Sequence, residues 1–143
     1  MVKRNITYRD FEGEERTDVF YFNLTEAELA DIELEYDGDM AKKLQNMQEK
    51  HDGRGVFAMI SNLILRSYGE KTSDGKRFVK NAEMREAFAA SDAYSKLLFD
   101  LLEDDSKLAN FMTAIMPVDI RAKVEERFNE EKKVKEAEVA ADA

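Results

Sequence analysis

The stretch Val19-Phe20-Tyr21-Phe22-Asn23-Leu24-Thr25-Glu26-Ala27-Glu28-Leu29 holds the point where the chain changes from strand to helix. Alternate side chains of a strand point to opposite faces, so four consecutive large apolar residues make both faces of the strand end apolar. Either helices cover one face and another protein chain covers the other, or the strand is internal to a larger fold, or Tyr21 lies partly exposed over a loop. Thr25-Glu26-Ala27-Glu28 is a capping box: the Thr hydroxyl accepts from the third-position amide while the Glu side chain reaches back to the Thr amide. Leu24 and Leu29 stand where a hydrophobic staple places them, so a helix starts at Thr25.

Upstream, residues 2–9 and 14–22 read as the two strands of a hairpin, rich in β-branched and aromatic residues such as Ile6, Tyr8, Thr17 and Val19. Gly13 marks the turn. A three-residue loop Phe11-Glu12-Gly13 opposes Thr7 to Thr17 and Arg9 to Glu15. A two-residue loop would oppose Arg9 to Arg16 and Asp10 to Glu15, so the first register is preferred.

Downstream, Leu29, Ile32 and Tyr36 give the first helix one apolar face until Asp37-Gly38. Asp39 caps a second helix with Met40, Leu44 and Met47 inward. Val56, Met59, Ile60, Leu63 and Ile64 repeat at helical spacing, the pattern of a core helix that Gly69 would terminate. Residues 69–77 read as a polar loop. Asn81, Ser91 or Asp92, and Asp105 or Ser106 open further short helices, and Pro117, the single proline, restarts the chain as a first-turn residue. The fold class is therefore α+β and mainly helical: an N-terminal β-hairpin packed on about five or six short helices, with no sheet of four or more strands expected. A single domain spans 1–128, with the hairpin at 2–22 and the helical body at 25–128. Residues 129–143 form a charged Ala/Glu/Lys-rich tail with two valines as its only large apolar residues, expected to be flexible or frayed helix.

The 143 residues suit one domain. The absence of Cys removes disulfides and thiolate chemistry, and the lone His51 removes multi-histidine metal sites. A formal charge of -9 opposes phosphate-backbone binding, so no nucleic-acid partner is expected. Neither a signal peptide nor a membrane span is legible, which places the protein in the cytoplasm where it is made. The charge is uneven: residues 23–52 carry nine acids against three bases, and residues 53–86 carry seven bases against four acids. Solvated helix faces account for this, and so does self-association in which an acidic segment of one copy meets a basic segment of the next.

No catalytic, cofactor or metal motif survives inspection. Gly69 to Lys76 has five residues between its glycines where a Walker loop has four, and Arg77 replaces the hydroxyl that would hold magnesium. Asp37-Gly38-Asp39 lacks the remaining ligands of a calcium loop, and Asp100, Glu103, Asp104 and Asp105 have no partner base. Methionine stands out: Met40, Met47, Met59, Met84, Met112 and Met116 lie on helix faces or ends, as core gap filling or as an adaptable binding groove. The expected protein-interaction residues are Val19, Phe20, Tyr21, Phe22, Met40, Met47, Met112 and Met116.

Three stretches together carry a resemblance: Ile6-Thr7-Tyr8-Arg9-Asp10-Phe11-Glu12-Gly13-Glu14-Glu15-Arg16-Thr17, Phe20-Tyr21-Phe22-Asn23-Leu24-Thr25-Glu26-Ala27-Glu28-Leu29, and Ser67-Tyr68-Gly69-Glu70-Lys71-Thr72-Ser73-Asp74-Gly75-Lys76-Arg77-Phe78. In this order, over about residues 3 to 125, the chain resembles the tail assembly chaperones of long-tailed bacteriophages of Gram-positive bacteria. Ala82 to Phe88, Ala93-Tyr94 and Ile115-Met116-Pro117 follow the pattern more loosely, and Ser73 stands where the family would have proline. The resemblance implies a non-enzymatic protein that coats and solubilises the tape measure protein and helps recruit tail tube protein. It implies residence in the host bacterial cytoplasm and absence from the mature virion, and self-association into a homo-oligomer suits it. Related chaperones are often also made as a frameshifted longer form, and Glu131-Lys132-Lys133 can be encoded by a slippery run. The rival readings are an acidic DNA mimic that inhibits a host nuclease and a permanent structural tail subunit.

Overall fold

The computed structural model describes residues 1–118, 120, 133 and 137. The tail expected over 129–143 and, apart from residue 120, the last stretch of the helical body expected over 119–128 lie outside the described positions that carry the argument below. Along the chain run β1 (Val2–Arg9), β2 (Glu15–Phe22), α1 (Glu26–Glu35), α2 (Met40–Glu49), α3 (Gly53–Ser67), β3 (Tyr68–Lys71), β4 (Phe78–Val79), α4 (Ala82–Ala89), α5 (Asp92–Glu103) and α6 (Asp105–Ala114). This is the mainly helical α+β class the sequence predicts, with N-terminal antiparallel strands followed by six helices among the described residues.

The first hairpin has the expected register, Thr7 opposite Thr17 and Arg9 opposite Glu15. Gly13 at φ +82° takes the left-handed position that closes a three-residue loop. The Asp10 carboxylate accepts from the amides of Glu12 and Glu14 and is held in turn by the Arg16 guanidinium.

The sheet is larger than the sequence predicts. Four antiparallel strands lie in the order β1-β2-β3-β4, where two were expected, and the segment read as a polar loop supplies β3 and the turn into β4. The added strands are short: β3 meets β2 only through Tyr21 opposite Gly69 and Phe22 opposite Tyr68, and β4 has two residues. Gly69 has a different role from the helix stop expected of it. α3 ends at Ser67, and a Cβ on Gly69 would stand 2.7 Å from the Phe78 ring and 2.8 Å from the Val79 carbonyl oxygen. Glycine is what lets β3 and β4 approach.

The helix starts follow from local chemistry. The Glu28 amide donates to the Thr25 hydroxyl at 3.2 Å and the Thr25 amide to the Glu28 carboxylate at 2.9 Å, completing the capping box. Asp39, Asn81 and Ser91 cap α2, α4 and α5. α6 is capped by Asp104, one residue earlier than expected, whose carboxylate accepts from both the Ser106 and Lys107 amides. Thr25→Ala removes one half of the box and is expected to cost about 1 kcal/mol, read as a fall in thermal midpoint of roughly 3 °C.

One apolar core fills the space between the inner face of the sheet and the helices, with Phe22, Leu24, Ile32, Ile64, Leu101 and Met112 fully buried. The connection after β2 is pinned twice: the Asn23 amide donates to the Ser67 carbonyl, and the Leu24 amide to the Ile115 carbonyl, each at 2.8 Å. Charges from the two unlike halves of the sequence meet inside this fold. Arg66 pairs with Asp31 and Glu35 of α1, and Lys80 with Glu28. These bases are neutralised within one chain, so head-to-tail stacking of copies cannot draw on them.

Candidate protein-binding site

β2 and β3 part company after Tyr21 and Gly69, because β3 turns away to pair with β4. The parting opens a cleft of about 390 Å³ whose walls include Val19, Phe20 and Tyr21 on one side and Tyr68, Glu70 and Lys71 on the other. Tyr8, Phe20, Tyr68 and Glu70 also line a hollow of about 340 Å³ on the inner side, which α4 completes with Glu83, Met84, Ala87 and Phe88. The two depressions share Tyr8, Phe20, Tyr68 and Glu70 as walls, and the two together are called the groove.

Its floor is aromatic. Tyr68 stacks on Phe88 with centroids 4.2 Å apart and planes 12° from parallel, Phe20 lies 5.4 Å from Phe88, and Tyr8 meets Phe20 edge-on at 5.9 Å. The rings hold one another, so the groove is preformed and its filling would cost little ordering. Polar groups border it unevenly. The Tyr8 hydroxyl donates to Asp18, and that hydrogen bond, with burial and the Asp18 charge, pushes the phenol above its ordinary pKa. The Tyr68 hydroxyl has no hydrogen-bond partner among the described residues, and burial together with Glu70 raises its pKa as well. Both phenols therefore stay protonated at neutral pH, and that of Tyr68 is a free donor at the groove wall. Among the described residues no group of acids and histidines is arranged to hold a metal ion, and no helix is long and apolar enough to cross a membrane.

The groove is open, floored by aromatic rings and rimmed by the half-buried Met84. A family profile described as phage tail assembly chaperone matches residues 1–143. The chain belongs to the phage tail assembly chaperone family. This is a non-enzymatic family of chaperones, and its partners are proteins of tail assembly. No curated protein and no solved structure matches the chain significantly.

For a tail assembly chaperone, the placement of the eight expected interaction residues separates into two groups. Val19, at 43 % exposure, and the half-buried Phe20 and Tyr21 line the groove. Phe22 is fully buried and belongs to the core. Met40, Met112 and Met116 are also enclosed, at 1 % exposure or less, and Met47 is half-buried beside α3, its sulfur near Gly55. The partner-facing role expected of Met40, Met112 and Met116 is corrected: they fill the core, because the helical faces that carry them are the inward ones. Among the methionines, Met84 lines the groove. Sequence reasoning names Met84 only among the six methionines of a core or a groove, and leaves Met84, Tyr8 and Tyr68 out of the eight interaction residues. The signal that would have found Tyr68 is the pair Asp74-Gly75, with Gly75 at φ +73°, a hairpin turn that makes strands of its flanks.

Proposed function

We propose that this chaperone holds exposed apolar side chains of the tape measure protein in the groove between β2, β3 and α4, keeps that protein soluble, and helps recruit tail tube protein around it. The observation that carries the reading is the preformed aromatic groove with Met84 at its rim, which suits repeated weak capture of many similar apolar stretches. Weak single contacts gain strength as an array and still permit displacement of each copy. The reading places the chaperone in the cytoplasm of the bacterial host and outside the finished virion, with a homo-oligomeric state and a frameshifted longer product beside it. A Gram-positive host follows from the sequence resemblance alone.

Co-expression with the tape measure protein encoded beside it tests the core of this. Wild-type chaperone is expected to raise the soluble fraction of the tape measure several-fold, and Ala87→Glu, which puts a charge on an exposed groove-lining position of α4, is expected to abolish the gain. Equal rescue by both would remove the groove from the mechanism. Mass spectrometry of purified virions separates a chaperone from a permanent tail subunit, since the chaperone is expected to be absent. Sequencing the codons of Glu131-Lys132-Lys133 for a slippery run with an overlapping frame downstream decides the longer product. Nothing favours the DNA-mimic reading: Asp31, Glu35 and Glu28 are engaged by Arg66 and Lys80 and do not form a free row of phosphate-like charges.

A further inference from the structure

β1 is an edge strand, the first in the order β1-β2-β3-β4, and its outer side carries unused backbone groups. The Asp10 amide donates to the Glu14 carbonyl at the turn, so hydrogen-bonded pairs recur at every second residue: Tyr8 with Arg16, Ile6 with Asp18, and Arg4 with Phe20. The N–H and C=O groups of Lys3, Asn5, Thr7 and Arg9 therefore point away from β2. α5 takes one of them, the Arg9 amide, which donates to the Asp92 carboxylate at 3.0 Å. No described residue accepts from the Lys3, Asn5 or Thr7 amide on that side, and all three residues are exposed. An edge of this kind is a template for another extended chain.

Beside the open edge lies a pocket of about 220 Å³ that shares no residue with the groove. β1 lines it with Arg4 to Thr7, and α5 with Lys96, Leu97 and Asp100. Its buried members, Ile6 and Leu97, are apolar, and the charge around them is basic. Asp100 is the pocket's one acid and is shared between Arg4 at 3.8 Å and Lys107 at 2.8 Å. Lys96 is exposed and forms no ion pair among the described residues, and Asp92, one turn before it, is turned to the Arg9 amide. In a chain of net charge -9 this edge is positive, with Lys3, Arg4, Lys96 and Lys107 around one carboxylate.

We propose that the outer edge of β1 binds an extended acidic segment of a partner protein, added as a fifth strand with one carboxylate side chain in the pocket between Arg4 and Lys96. The amides and carbonyls of Lys3, Asn5 and Thr7 supply main-chain hydrogen bonds to any extended segment, and the two bases select a carboxylate among side chains. A second copy of this chain does not fit. β1 paired antiparallel with its own edge about Asn5 would bring Lys3, Arg4 and Lys96 of both copies to one seam, and like charges so placed repel. The site goes beyond the client groove: a chaperone with both surfaces can hold its client in the groove while an acidic segment of a second protein occupies the edge.

The test titrates isotope-labelled full-length chaperone with the synthetic peptide acetyl-Thr-Val-Thr-Glu-Thr-Val-Thr-amide, followed by NMR, and with the same peptide bearing Lys in place of Glu. The glutamate peptide is expected to shift the amides of Lys3, Asn5 and Thr7 and slow their hydrogen exchange, with a dissociation constant on the order of 0.5 mM, and the lysine peptide to bind at least tenfold more weakly. Lys96→Glu, at an exposed position, is expected to reverse that preference. Asn5→Pro removes one outward amide and no bond to β2, and is expected to weaken the glutamate peptide at least tenfold with unchanged circular dichroism. Where the proline variant fails to fold, Lys96→Glu decides alone. Ala87→Glu, which alters the groove, is expected to bind the peptide as the wild type does. Equal binding of the two peptides, no shift at about 5 mM peptide, or shifts confined to residues 19–21 and 68–71 would overturn the proposal. Rescue of the tape measure is expected to survive Lys96→Glu, so failure at the edge leaves the client reading standing, and failure of client rescue leaves the edge.

Discussion

Phe22→Ala is expected to remove about 4 kcal/mol of folding stability, the upper part of the range for emptying an aromatic core site. The ring is wholly enclosed, with neighbouring rings of Tyr68 at 5.9 Å, Phe88 at 5.9 Å and Phe111 at 5.5 Å. Those three rings come from β3, α4 and α6, so the cavity would open where the sheet meets the helices. Relaxation is limited because Asn23 and Leu24, the next two residues, are fixed by backbone hydrogen bonds to α3 and to the residue after α6. Urea denaturation measures the effect as a lower midpoint with an unchanged slope. Phe11→Ala is the matched control, with a change expected to lie within about 0.5 kcal/mol, since an exposed ring contributes little to folding. A loss below about 1.5 kcal/mol for Phe22→Ala would mean that the inner sheet face is not anchored through this ring.

The contrast between Phe22 and Phe20 shows what the sequence could and could not say. Both lie on one face of β2, a consequence of strand periodicity that is legible from residues 19–22 alone. Which of them lines the groove and which is buried in the core depends on where β3 leaves β2, and that is set by a two-pair contact between residues far apart in the chain. No local pattern announces so short a pairing. The features written in consecutive residues, the Gly13 turn, the Thr25 box and the caps at Asp39, Asn81 and Ser91, stand in the structure as the sequence predicts them. The methionines illustrate the opposite case. A methionine on the apolar side of a helix satisfies the same spacing whether that side meets core or groove, so Met112 and Met84 look alike in the sequence, and only the packing of α6 inside and α4 at the edge tells them apart.

Lys80→Met is expected to destabilise the fold by about 2–3 kcal/mol at neutral pH, less than the full cost of breaking a buried ion pair because Glu28 keeps some solvent. The ammonium has three hydrogens and three partners: the Asn23 carbonyl at 2.7 Å, the Arg66 carbonyl at 2.9 Å and the Glu28 carboxylate at 2.7 Å. It thereby ties the β2–α1 junction and the α1 capping box to the last turn of α3. Methionine keeps the packing of the stem and removes the charge, leaving two carbonyls and one carboxylate short of a donor. Glu28→Gln preserves a capping box, since Gln serves at that position, and removes the stranded charge. The double variant is therefore expected to be at least about 1 kcal/mol more stable than Lys80→Met alone, a coupling that a double-mutant cycle reads directly. The pH dependence carries the same signature. Burial alone would raise the Glu28 pKa, but hydrogen bonds from Lys80 and the Thr25 amide and the Lys80 charge outweigh it and hold the carboxyl below its ordinary value of 4.5. A carboxyl depressed in the folded state stabilises fully above its unfolded pKa and loses that contribution as pH falls through its folded one. Lys80 has the same sign at the alkaline end: burial, outweighing the bond and charge of Glu28, lowers its pKa below 10.5, so the unfolded chain holds the proton longer and stability from this group rises with pH between the two values. In Lys80→Met the depressing partner is gone, burial governs Glu28, and the acid-sensitive contribution disappears. The gap between wild type and Lys80→Met in urea midpoint is thus expected to narrow below about pH 4. A gap that stays constant from pH 7 to pH 3 would assign the role of Lys80 to the two carbonyls and not to the carboxylate.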